Sequence, residues 1–139
     1  MAILWVEDEQ HLLGAELLEE RWKIDTAIAC DVAIAKLKAQ TYELLIVDLI
    51  VPVTTGARAD LEFEVDHRDD LEEKYGGLWL IRYVREVLDP NVPIMVVTIV
   101  VGDDRDPIER RLDGIISDYL SKYDTKPDDW CKRIEELLQ

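Results

Sequence analysis

The chain has 139 residues, 48% of them apolar, which suits a single domain with a full hydrophobic interior. Its 31 acidic residues outnumber 16 basic ones, giving a net charge of −15. That balance excludes nucleic acid and anionic membrane surfaces as partners, since both demand a basic face; cations and basic protein surfaces are what such a field attracts.

The run AILWV (2–6) predicts a short buried strand. EQHLLGAELLEERW (9–22) predicts a helix with Leu13 and Leu17 on one face and Glu16, Glu19 and Glu20 turned outward. IDTAIA (24–29) reads as a second strand, and VAIAKLKAQ (32–40) as a second helix capped by Asp31. LLIVDL (44–49) is the third strand and PIMVVTIV (93–100) the fourth. Between them LWLIRYVREVL (78–88) has helical spacing, with Leu80, Ile81, Val84 and Leu88 toward the core. GIISDYLSK (114–122) contains a fifth strand. KPDDWCKRIEELL closes the chain as a helix, with Thr125 and Asp128 at capping-box spacing and Pro127 in the first turn.

The alternation is βαβαβαβαβα. Strands that are apolar throughout pair in parallel with helices on both faces. Right-handed crossovers then give an α/β, doubly wound sheet, for which the flavodoxin-like order 2-1-3-4-5 is expected. Residues 1–139 form one domain in this reading, interrupted at about 57–76 by the acidic stretch ARADLEFEVDHRDDLEEKYG. There Leu61, Phe63 and Val65 alternate with acids like one hairpin arm, and HRDDLEEKY can extend the following helix backward. No export signal or membrane span is visible, and Cys30 and Cys131 form no metal or redox motif. A soluble cytoplasmic protein is the expectation.

In such a sheet the ligand crevice lies at the carboxyl ends of the strands, between strands 1 and 3. Glu7 and Asp8 follow strand 1, and Asp48 ends strand 3 amid apolar neighbours. A lone buried charge is expensive, and three converging carboxylates repel one another. A hard cation such as Mg²⁺ relieves both problems. Thr98 ends strand 4 and Lys122 ends strand 5, so a hydroxyl and an ammonium face the same crevice. Together they suit a phosphoryl group, with Asp48 as candidate nucleophile.

ILWVEDE, LLIVDLIVP, PIMVVT and DYLSK, in this order and spacing, resemble the receiver domain of two-component response regulators nearly end to end. The resemblance implies that Asp48 accepts a phosphoryl group from a histidine kinase or phosphotransfer protein, and that the chain then signals to a downstream protein. It also implies that Asp8, Asp48 and the backbone carbonyl of Ile50 hold Mg²⁺, with Glu7 acting through water. Thr98 and Lys122 match the family's phosphate-sensing pair, and Tyr119 its aromatic switch. Gly77 matches the glycine that opens the helix after the third strand, with Gly56 as a rival. Such a chain is expected to be a switch rather than an enzyme, with its output made through protein contact.

Three departures stand out. Ile99 occupies a place usually held by Ala or Gly and is expected to crowd the pocket. Tyr123 replaces the proline after the lysine, so a trans peptide bond is expected there. The 57–76 insertion enters beside Asp48. These favour an alternative, a degenerate receiver that docks partners without phosphorylation. An aspartyl phosphohydrolase of the haloacid-dehalogenase type needs a second Asp where Ile50 stands. His11 and His67 have no partners at metal spacing, and Trp5, Trp22, Trp79 and Trp130 read as packing residues.

Overall fold

The computed structural model describes residues 2–8, 15–54, 68–100 and 102–139. Five strands run through it: β1 (Ala2–Val6), β2 (Ile24–Ala27), β3 (Tyr42–Val47), β4 (Ile94–Thr98) and β5 (Asp118–Ser121). They pair in parallel in the order β2-β1-β3-β4-β5, as the apolar runs predict. Six α-helices accompany them: α1 (Ala15–Glu19), α2 (Cys30–Ala39), α3 (Asp70–Lys74), α4 (Gly76–Tyr83), α5 (Arg105–Leu112) and α6 (Pro127–Leu137). Among the described residues no helix is long and apolar enough to cross a membrane.

Successive strand residues point to opposite faces, and each face has its own core. Leu4, Val6, Leu45, Val47, Ile94 and Val96 pack with α2, α4 and α5 residues such as Ile34, Leu80 and Ile108. Ile3, Trp5, Leu44, Ile46, Met95 and Val97 pack with Leu18, Trp130 and Ile134 from α1 and α6. In the first helix Leu18 is the buried leucine, while the expected Leu17 is half-buried; Leu13 lies outside the described residues.

Both expected helix caps are corrected. Asp31 is not the cap of α2; it is the second helical residue, fully buried, and its Oδ1 accepts from the Val32 N–H. The free donors of that first turn go instead to the loop after β3, Cys30 N–H to Pro52 O and Asp31 N–H to Val53 O, both at 2.9 Å. At α6 the cap is Lys126, whose N–H donates to Asp129 Oδ2 at 2.8 Å, rather than the expected Thr125 and Asp128 pair. Thr125 turns inward, donating to Ser121 O and accepting from Trp130 Nε1 at 2.9 Å.

The helix expected at 78–88 begins at Gly76 and widens into a π-helical turn over Val84–Leu88, where the Asp89 N–H reaches Val84 O. Pro90 ends it by holding Asp89 in an extended conformation. Within the insertion, Asp70–Lys74 is a separate helix capped by Asp69, with Glu72 completing a capping box. The expected hairpin arm at 61–66, together with Gly56, His11 and His67, lies outside the described residues.

Candidate functional site

Backbone pairing continues past the strand ends and brings the chemistry together. Glu7 N–H donates to Ala27 O, Asp48 N–H to Val6 O, and Lys122 N–H to Thr98 O, at 2.9 to 3.0 Å. Those bonds seat Glu7, Asp48, Thr98 and Lys122 side by side at the carboxyl edge of the sheet.

Asp48 is 3% exposed, yet its carboxylate is fully engaged. Thr98 Oγ1 donates to Oδ1 at 2.8 Å, and the Ile50 N–H donates to the same oxygen at 3.0 Å. Lys122 Nζ donates to Oδ2 at 2.8 Å and to Glu7 Oε2 at 2.6 Å. The charge that interrupts β3's apolar run is thus offset by one ammonium and two neutral donors.

Two buried carboxyl groups share that single ammonium. Burial first, and the nearby Asp48 charge second, push the Glu7 carboxyl up to about 8, against an ordinary 4.5. Asp8, next along the chain, is exposed. Among the described residues no three carboxylate, histidine or cysteine side chains are grouped as metal ligands. Lys122 stands between Glu7 and Asp48, where the sequence reading expects a cation.

The loop after Asp48 is pinned from two sides. α2 holds Pro52 and Val53 through its first-turn N–H groups, and the Gly77 N–H donates to Leu49 O at 3.0 Å. A Cβ on Gly77 would lie 2.4 Å from Asp48 O and 2.6 Å from Leu49 Cα, so only glycine permits this approach. Gly77, the second residue of α4, is therefore where the helix meets the site.

The departures take definite shapes. Ile99 is 43% exposed and does not separate Thr98 from Asp48. The bond from Lys122 to Tyr123 is trans, as expected, and Tyr123 is largely exposed. Tyr119 lies on β5 with its hydroxyl oxygen buried and, among the described residues, without a hydrogen-bond partner, under the Arg105 guanidinium at 5.7 Å. Burial pushes its phenol up to about 12.

Sequence reasoning missed a link between the insertion and the segment after β4. Lys74 Nζ and Tyr75 Oη both donate to Asp104 Oδ2, at 2.5 and 2.6 Å, and Arg111 pairs with Asp69 at 2.8 Å. The acid-rich composition of 60–73 hides these contacts, because nothing local marks which acids meet a base.

No protein-family model matches the sequence, and no curated protein does. Solved structures do match in shape. A CheY-like response regulator receiver domain protein from Methanospirillum hungatei shares 21% identity at a TM-score of 0.69, over 99% of this chain and 92% of that one. The beryllofluoride-activated N-terminal receiver domain of Klebsiella pneumoniae RstA gives 20% and 0.69, over 100% and 99%. The response regulator TrrA from Thermotoga maritima, in complex with magnesium and beryllofluoride, gives 24% and 0.67, over 99% and 100%. The parallel order 2-1-3-4-5 with helices on both faces is common to this chain and these neighbours: it has the receiver-domain fold.

Proposed function

We propose that the chain is a receiver of two-component signalling, in which Asp48 accepts the phosphoryl group of a phosphohistidine on a histidine kinase or phosphotransfer protein. The observation that carries this reading is the buried Asp48 carboxylate, held at both oxygens by Thr98, the Ile50 N–H and Lys122. A carboxylate so aimed attacks phosphorus, forming a P–O bond while the P–N bond to imidazole breaks and its electron pair stays on the ring. Lys122 and Thr98 already touch the two oxygens of Asp48, so small movements bring them onto the new phosphoryl oxygens. The product's charge and hydrogen bonding then differ at Thr98, which leads through residues 99–104 into α5. The phosphorylated form would signal as a switch, without turnover, to a downstream protein; a net charge of −15 suits a basic partner face.

Magnesium fits the donor set, which is all oxygen. Asp8, Asp48 and the Ile50 carbonyl would hold the ion, with Glu7 acting through water. When bound, it neutralises phosphoryl oxygens during transfer. The names of two structural neighbours, which carry beryllofluoride and in one case magnesium, support the same chemistry.

A second reading, a docking module that is never phosphorylated, is favoured by Lys122 sitting between Glu7 and Asp48. Magnesium plus beryllofluoride separates the two when followed by two-dimensional NMR. Shifts at Thr98, Lys122 and α5 that vanish in Asp48→Asn support the receiver. An unchanged spectrum, with partner binding intact in Asp48→Asn, supports the docking module.

A further inference from the structure

A cavity of about 380 Å³ lies away from Asp48, where α3, α4 with its π-helical turn, and α5 meet. That volume falls within the size of small-molecule sites. Its floor is apolar, made of Leu78, Ile81 and Leu112, and Ile115 lies half-open at its mouth. The short helix α3, separate from α4 rather than a backward extension of it, supplies one wall through its cap Asp69 and through Glu72.

The charged groups on its walls are matched, with one exception. Glu72, nearly fully buried, accepts from Arg82 Nε at 2.5 Å and from Nη2 at 3.0 Å. Glu86 also meets Arg82, at 3.4 Å, and Asp69 pairs with Arg111 at 2.8 Å. Among the described residues Arg85 donates hydrogen bonds only to carbonyl oxygens. Its Nε and Nη2 donate to Ile115 O at 3.0 and 2.9 Å, and Nη1 donates to Asp89 O at 3.3 Å. Three of its five N–H donors are used and two remain. Burial lowers its pKa, against the opposing pull of the nearby Asp89 charge, the mark of a cation partly stripped of water.

We propose that this cleft binds a small amphipathic carboxylate, its apolar body on Leu78, Ile81 and Leu112 and its carboxylate on the free donors of Arg85. A cation is disfavoured because each acid there already has an arginine. A neutral apolar ligand would leave Arg85 as it is. The carboxylate alone both covers the floor and takes up the two remaining N–H donors of Arg85.

The test is an NMR and calorimetric titration of the full chain with octanoate and octanamide, kept below micelle-forming concentrations. Octanoate is expected to shift the amides around Arg85, Leu112 and Ile115 and to bind about tenfold tighter than octanamide. Arg85→Gln is expected to abolish that preference. Ile115→Asp leaves the backbone carbonyl that holds Arg85 in place and sets a fixed negative charge at the mouth; it is expected to weaken octanoate about tenfold with melting unchanged. Equal binding of the two probes, shifts elsewhere, no binding, or undiminished octanoate affinity in Ile115→Asp would each overturn the proposal.

Discussion

Lys122 lies 2.6 Å from Glu7, so the ammonium at the end of β5 is tied to β1 as well as to Asp48 on β3. Three strands' ends are thereby joined through one charge. A protonated Glu7, an ionised Asp48 and an ammonium sum to zero, the least costly state for a buried cluster. The proton on Glu7 follows from burial first and from the neighbouring Asp48 second.

That proton makes stability depend on pH with a definite sign. Between the ordinary 4.5 and about 8, folded Glu7 holds a proton that the unfolded chain has released. Raising pH through this window therefore costs stability, by up to about 1.4 kcal/mol per pH unit for one proton. Lys122, whose pKa is raised by its two carboxyl partners against burial, is charged in both states throughout the window and adds no slope. Urea unfolding between pH 5 and 8 is expected to show the natural chain losing stability relative to Glu7→Gln. Parallel curves would contradict the assignment.

Gly77→Ala tests the seat of Asp48. The added methyl meets the backbone of residues 48 and 49 just past the end of β3, which cannot yield as a flexible side chain does. A loss of about 2 kcal/mol is expected from chemical denaturation. Stability equal to that of the natural chain would show that α4 can move off the site without cost.

The bridge from Lys74 and Tyr75 to Asp104 joins the insertion's helix to the start of α5. Lys74 is well exposed, so Asp104→Asn is expected to change global stability by less than about 1 kcal/mol. Hydrogen exchange should nevertheless quicken at residues 102–108, which this bridge tethers to α3. Unchanged exchange there would mean that α5 is held by Ile108 and Leu112 alone.

Metal addition gives a fourth prediction. Mg²⁺ or Mn²⁺ is expected to raise the melting temperature by binding the folded chain at Asp8 and Asp48, and Asp8→Ala to remove the response. A full response in Asp8→Ala would place the ion elsewhere.

The sheet was legible because its strands are apolar throughout, and because carboxylates, a hydroxyl and a lysine interrupt or end those runs at one edge. Glu7, Asp48, Thr98 and Lys122 meet where that pattern places them. What a sequence does not carry is which partner a side chain selects. The caps shift because α2's donors find the carbonyls of Pro52 and Val53, a tertiary choice with no local signal. α5 escapes placement since RDPIERRL offers only Ile108 and Leu112 to a core, around a proline. The bonding of Lys122 to Glu7 needs the folded distance, and so does Ile99's turn toward solvent.

The central claim is that Asp48 is a nucleophile for phosphorus, and intact-mass analysis after treatment with acetyl phosphate and Mg²⁺ tests it most directly. The natural chain should gain the mass of one phosphoryl group, and Asp48→Asn should gain nothing. No added mass on the natural chain, or an equal gain on the variant, would contradict the account.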